Sequence, residues 1–193
     1  MKIIRAGSCL ATPWKNGGGS TTEIAVEPPG ASLDTFDWRI SMATVAADGP
    51  FSEFPGIDRT LAVVKGKGLI LTIGRTAPVR LECGSAPVSF GGDVPTSARL
   101  SAGEIADLNV MTRSSRFSHR LRRIRQPAYC ELDGNDIAVV LSFNGNTTLA
   151  SDQDVATLDH GDAAILSGAR EDSFRIVPIG PSDCYLVLLH DIR

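Results

Sequence analysis

Hydrophobic and polar residues alternate in short runs along this chain, and the runs are punctuated by Gly, Pro, Asp and Asn. Thr22 to Val26 has Glu23 and Ala25 on one face and Ile24 and Val26 on the other, as a strand requires. Pro28-Pro29-Gly30 stops it. Phe36 to Val45 reads as the next strand, with Trp38, Ile40 and Met42 opposite Asp37, Arg39 and Ser41. A long loop is expected over Asp48 to Arg59, ordered by burial of Phe51 and Phe54. Leu61 to Val64 and Leu69 to Ile73 flank Lys65-Gly66-Lys67-Gly68, which reads as a tight hairpin. Val79 to Glu82 alternates, and Arg99 to Met111 contains two strands separated around Gly103-Glu104. No window longer than ten residues carries a convincing helical period. The pattern predicts an all-β chain with little helix.

One frame occurs twice. Leu100 to Leu108 and Leu158 to Leu166 share Leu-x-x-Gly-acid-x-Ala-x-Leu, and each follows a related apolar run, Leu61-Ala62-Val63-Val64 or Ile137-Ala138-Val139-Val140. Two matches in the same order predict a duplicated β unit. The expected division is residues 1–113, a barrel with the ligand pocket, and 114–193, a smaller module packed as one compact unit.

Composition narrows the function classes. Hydrophobic content of 42% and charged content of 21% suit a soluble globular protein, and a net charge of −3 argues against a dedicated nucleic-acid binder. The N-terminal residues lack a signal-peptide apolar run, and no stretch is long enough to span a membrane. Cys9, Cys83, Cys130 and Cys184 are widely separated and read as reduced thiols, so a cytoplasmic location is expected. One cluster departs from the acidic average: Arg113, Arg116, Arg120, Arg122, Arg123 and Arg125, without which the formal charge would be −9. It reads as a solvated linking strand, with a nucleic-acid or dimer contact as the sharper alternatives.

Pro13-Trp14-Lys15-Asn16-Gly17-Gly18-Gly19-Ser20-Thr21-Thr22-Glu23 concentrates candidate chemistry. Three consecutive glycines cost conformational entropy and suit a place where backbone approaches something closely. The spacing fails as a phosphate loop, because Lys15 precedes the glycines and a strand follows them. It fails as a dinucleotide fingerprint because Thr22 stands where glycine is needed. An anion nest of backbone N–H groups stays open, as does a plain turn.

Pro13 to Gly19 with Thr22-Glu23-Ile24-Ala25 resembles the HutD/Ves family. Phe36 to Ala43, Gly49-Pro50-Phe51-Ser52 through Phe54 to Arg59, and Asp107 to Arg113 extend the resemblance over most of the first 113 residues. The second half resembles a generic cupin. The resemblance implies two tandem cupin-like β-barrel or jelly-roll modules, a bicupin. It also implies a cytoplasmic bacterial protein of histidine utilisation that binds a pathway metabolite, with no established catalytic activity. Cupins commonly hold a metal through histidines, but laying the usual spacing on this chain puts Pro55, Ile57 and Leu61 at those positions, and Ala106 or Ala164 at the later one. His119, His160 and His190 are the only histidines. The expectation is therefore no metal and no cofactor.

The expected pocket takes Trp14, Lys15, Asn16, Gly18, Thr22, Glu23, Arg39, Ser41, Phe54 and Arg59. Arg39 offers a planar fork for a carboxylate, and Lys15 adds positive potential. Glu23 or Asn16 orients a polar nitrogen, and Trp14 and Phe54 cover an apolar body. Asp107 and Asn109 share one face, and the sequence does not say which way it points. The expected partner is a small anionic metabolite such as urocanate or a formylated glutamate, with no membrane, no nucleic acid, and a homodimer as a further candidate. Two other classes stay open: a hydrolase or isomerase with Glu23 as general base, and an interaction module using Arg113 to Arg125.

Overall fold

The computed structural model describes residues 1–193 and is nearly all β, with a single 3-10 turn at Ala6–Ser8 and no α-helix. Strand β1 (Lys2–Ile4) precedes that turn. The chain divides into two compact units, Leu10–Arg116 and a second made of Met1–Cys9 with Phe117–Arg193.

The first unit holds β2 (Ala11–Pro13), β3 (Gly19–Glu27), β4 (Trp38–Val45), β5 (Gly49–Pro50), β6 (Ile57–Lys65) and β7 (Leu69–Ile73). It continues with β8 (Val79–Leu81), β9 (Val88–Gly91), β10 (Thr96–Leu100) and β11 (Ile105–Arg113). A six-stranded antiparallel sheet, β2-β3-β4-β11-β6-β9, faces a four-stranded one, β5-β10-β7-β8. Apolar residues of both close the interior: Val45, Leu61, Val63, Phe90 and Ile105 from the larger sheet, Leu69, Leu71, Leu81 and Ala98 from the smaller. Each of the larger of these side chains, fully buried, contributes about 1.5–3 kcal/mol.

The second unit adds β12 (Phe117–Ile124), β13 (Ala128–Glu131), β14 (Asp136–Phe143) and β15 (Asn146–Ser151). After them come β16 (Val155–Leu158), β17 (Ala163–Ser167), β18 (Ser173–Ile179) and β19 (Asp183–Asp191). Its sheets run β1-β17-β14-β19-β12 and β13-β18-β15-β16. Leu149, Leu158, Ala164, Leu166, Phe174, Ile176 and Leu186 fill its interior.

Four expectations need correction. Lys65 to Gly68 is not a hairpin: β6 and β7 lie in different sheets, and Gly66 (φ +95°) and Gly68 (φ +91°) turn the chain from one to the other. The loop expected to run through Arg59 ends three residues earlier, because Ile57, Asp58 and Arg59 already pair with β11. The alternation in β3 breaks at a bulge between Glu23 and Ala25, so Ala25 pairs with Ile40 and Val26 with Arg39. Lastly, the basic segment is a strand as expected, but as β12 it is a member of the second unit's sheet, paired with β19, rather than a linker, and its exposed residues alternate at Ser118, Arg120 and Arg122.

The repeated frame maps onto matching strand pairs. Gly103 (φ +66°) lies between β10 and β11, and Gly161 (φ +85°) between β16 and β17. Leu108 pairs with Ala62 and Leu166 with Ala138, the same register in both units. The interior faces differ, however: Leu61 and Val63 point inward in one unit, Ala138 and Val140 in the other. β1 stands beside β17 as β4 stands beside β11. The first nine residues thus pack with the second unit, whereas a division at residue 113 gives them to the first.

Candidate functional site

The larger sheet of Leu10–Arg116 carries polar residues on the face that its smaller sheet covers. Strand pairing stacks them in rows, because directly paired residues point the same way. Val26, Arg39, Met111, Arg59 and Phe90 form the first row. Glu23, Ser41, Asn109 and Leu61 form the second, and Thr21, Ala43, Asp107 and Val63 the third. The polar members occupy the rows nearer Arg39, while Val45 and Ile105 close the opposite end with the apolar core.

Both arginines lean from the first row toward the second. Arg39 donates from Nε to Glu23 Oε2 at 2.8 Å and from Nη1 to Ser41 Oγ at 3.3 Å. Its side chain is 13% exposed and that of Glu23 is 44% exposed, so this pair sits at the open edge. Arg39 Nη2 has no partner within the protein.

Arg59 is deeper, 6% exposed, and forms no ion pair. Its guanidinium lies 5.3, 5.5 and 5.2 Å from the rings of Phe51, Phe54 and Phe90, whose π faces stabilise a cation that water has left. Nη1 donates to the Ser52 carbonyl at 3.2 Å, and Nη2 to Asn109 Oδ1 at 3.4 Å. Nε is buried with no acceptor. Burial, reinforced by Arg39 and opposed by Asp107, lowers the Arg59 pKa to about 10. The loop that brings two of the three rings is pinned by backbone: Phe51 N–H donates to Thr96 O at 2.8 Å and Phe54 N–H to Gly92 O at 2.7 Å. Gly92 is required there, since a Cβ would stand 2.7 Å from Phe54 O.

Asp107 lies one row below Asn109 and is 2% exposed. Burial pushes its pKa up to about 7 against the pull of Arg59. Two guanidiniums therefore converge over the paired Ser41 and Asn109, with a buried carboxyl beneath. Chemically, this is a set of donors suited to a carboxylate or similar anion.

Trp14 closes one side, donating from Nε1 to Thr21 Oγ1 at 2.8 Å. Glu23, Arg39, Ser41, Phe54 and Arg59 share this region with it. The other expected residues lie elsewhere. Lys15 and Asn16 are exposed on the turn, and Asn16 Oδ1 accepts the Gly18 N–H at 3.0 Å. Gly18 also accepts from Ala46 N–H through its carbonyl, at 2.9 Å. Thr22 pairs with Met42 on the opposite face, and Thr21 holds the inward position instead.

The glycine run approaches the protein itself. A Cβ at Gly19 would stand 2.1 Å from Thr44 O and 3.0 Å from the Trp14 ring, while Gly17 adopts φ +71°. Phe90 and Thr21 were not expected. Phe90 carries no sequence signal beyond a short apolar run, whereas Thr21 follows from extending the Glu23 alternation by two residues.

Other chemistry-bearing features are engaged or shallow. Asp183 takes Arg123 and Arg125, Arg116 pairs with Asp37, and Arg113 caps the carbonyls of Asp34 and Phe36 at 3.1 and 3.0 Å. A cleft of about 330 Å³ beside Asp183 is lined by the same Arg123 and Arg125. A second, of about 320 Å³, lies along Ile70, Thr72, Ser97 and Arg99. Asp133, Asp136 and His190 bring ligand atoms within 4.8 Å of one another. Internal hydrogen bonds account for that grouping: His190 Nδ1 to Asp136 at 2.9 Å, and Asn135 N–H to Asp133 at 2.8 Å. All four cysteines are free thiols, and no helix is long and apolar enough to cross a membrane.

The HutD family model matches residues 6–182. Protein Ves of Citrobacter koseri is 40% identical over 110 residues, 56% of each chain. An uncharacterized 21.2 kDa protein in the hutC 3′ region of Pseudomonas putida is 35% identical over 122 residues, 63% of each chain. The matched segments thus span less than two thirds of those relatives' lengths. The structure of HutD from Pseudomonas fluorescens, in a formate condition, superposes with a TM-score of 0.87 at 29% identity, covering 100% of this chain and 99% of that one. A cupin 2 conserved barrel domain protein from Leptotrichia buccalis shares the fold, with a TM-score of 0.59 at 11% identity over 98% of this chain and 96% of that one.

Proposed function

This chain belongs to the HutD family, and from that premise we propose that it binds a small anionic metabolite inside the Leu10–Arg116 unit and regulates histidine utilisation. The observation that carries the reading is the buried Arg59, whose Nε lacks an acceptor although three aromatic rings and Asn109 hold the rest of the guanidinium in place. Leaving a buried charged donor unsatisfied costs about 1–3 kcal/mol or more. A ligand oxygen at that atom recovers the loss. Arg39 supplies a second fork from the mouth, where Nη2 is free, and Ser41 and Asn109 form the polar floor between them.

The ligand class is a carboxylate with a short body, for which urocanate and N-formylglutamate are the leading compounds. Trp14 and Phe54 bound the site on its apolar sides. Catalysis by Glu23 is disfavoured, because its carboxylate is engaged by Arg39 and the hydroxyl of Ser41, paired with it across the strands, accepts from the same guanidinium. The relative in the hutC 3′ region supports a place in histidine utilisation.

Calorimetric titration with urocanate, N-formylglutamate and formate, with histidine as the cationic comparison, tests this reading. Wild type binds at least one of the three anions. Arg39→Ala and Arg59→Met each weaken that binding about 10- to 100-fold, the loss expected for a charge-assisted hydrogen bond. An absence of binding in wild type, or unchanged affinity in both variants, overturns the proposal.

A further inference from the structure

We propose that anion binding between the two sheets of the Leu10–Arg116 unit is coupled to the uptake of one proton, which Asp107 receives. The inference rests on the anion-binding reading above and adds to it a sign and a stoichiometry. Asp107 lies directly beneath the Ser41–Asn109 floor, in a row otherwise made of Thr21, Ala43 and Val63. No hydrogen-bond donor of the protein reaches its carboxyl. Nor does Arg59 close an ion pair with it, since Arg59 leans to Asn109 and Ser52 instead.

The charges facing Asp107 can be taken strand by strand. β6 brings Arg59 and, at its exposed end, Lys65; β4 brings Arg39; β3 brings Glu23, already paired with Arg39. β11 adds the neutral Asn109 and Met111 on this face and, at its far end, Arg113, which is taken by the Asp34 and Phe36 carbonyls. From the smaller sheet, Leu69, Leu71 and Ala98 contribute no charge. Arg59 is therefore the favourable charge that matters most to the Asp107 carboxylate.

A ligand carboxylate arriving at Arg59 introduces a second negative charge in a site with little water to screen it. Two carboxylates sharing one buried cation raise the pKa of the weaker-held one. The buffer supplies a proton, an O–H bond forms on Asp107, and the carboxyl turns from a repelling anion into a donor toward the ligand. No other bond is made or broken. Burial already holds Asp107 near pKa 7, so this step is accessible close to neutrality. All three histidines, His119, His160 and His190, lie outside Leu10–Arg116, so none of them titrates within this unit.

The test is calorimetric titration of the full chain with N-formylglutamate and formate at about pH 6 and about pH 8, in buffers of different ionisation enthalpy. The expected result is affinity about five- to tenfold tighter at the lower pH, with close to one proton taken up per site at the higher one. Asp107→Asn removes both the pH dependence and the buffer-dependent heat. Binding of equal strength at both pH values without proton uptake overturns the coupling and leaves the anion-binding reading intact. Tighter binding at the higher pH overturns it too, and so does an Asp107→Asn protein that keeps the response. Should that variant fail to fold, proton uptake by wild type decides the matter alone. Failure of both probes to bind overturns the coupling, and the anion-binding reading falls with it only where urocanate fails to bind as well.

Discussion

Asp107 is a costly residue for an unliganded protein to carry. Its carboxyl is buried with a pKa of about 7, well above the ordinary carboxylate value of 3.8, so the folded state holds its proton more tightly than the unfolded chain does. The sign follows directly: this group's contribution is complete below the unfolded value and is lost as pH rises through about 7. We predict that thermal unfolding shifts several degrees lower between about pH 5 and about pH 8, and that Asp107→Asn flattens the shift and melts higher than wild type at the alkaline end. Differential scanning calorimetry across that range checks it; a wild-type melting point that rises with pH in this window contradicts it. Its neighbour Arg59 makes the same point from the other sign, a cation stripped of water and held by rings and carbonyls rather than by a carboxylate. Neither environment was readable from sequence. Asp107 and Asn109 alternate with apolar residues, but both faces of β11 are buried, so alternation alone does not choose the inward one. Arg59 follows Pro55-Gly56 closely enough to read as loop, and only its pairing with Met111 puts it on a wall.

At the scale of elements, β4 was the most legible. Trp38 and Ile40 against Arg39 and Ser41 gave a clean period, and both faces are occupied as that period requires. β3 misled because one extra residue at the bulge reverses every face beyond Glu23, and nothing in Ile24-Ala25-Val26 announces it. The glycine run was prominent for a reason other than the one expected. Gly19 lies against β4 and the Trp14 ring, and Gly17 supplies a left-handed turn, so two glycines build the loop that seats Trp14. Gly18 has an ordinary contact, 3.4 Å from Asn16 to a would-be Cβ, and no positive φ. Accordingly, Gly19→Ala should destabilise the protein by about 1–3 kcal/mol through forced displacement of β4 or Trp14. Gly18→Ala should change stability by less than about 0.5 kcal/mol. Urea unfolding of the two variants separates them, and equal losses would show that Gly19 is not tightly enclosed.

Across the whole molecule, the duplicated frame located equivalent strand pairs in the two units and even their register. It did not carry over which face is interior, nor that β1, at the far end of the sequence, completes the second sheet. Long-range pairing of a three-residue strand leaves almost no local pattern to read. The polar rows found in Leu10–Arg116 have no counterpart in the second unit's apolar interior, where Ala164 and Leu166 lie inward on β17. The proposed site therefore lies in the first unit, and four arginines of the basic cluster, Arg113, Arg116, Arg123 and Arg125, hold local structure. A crystal structure grown with urocanate or N-formylglutamate tests the central claim most directly. Ligand carboxylate oxygens are expected about 3 Å from Arg59 Nε and Arg39 Nη2, above Ser41 and Asn109. Ligand bound elsewhere, for instance against Arg123 and Arg125, with the Arg39–Arg59 space filled only by water, would contradict it.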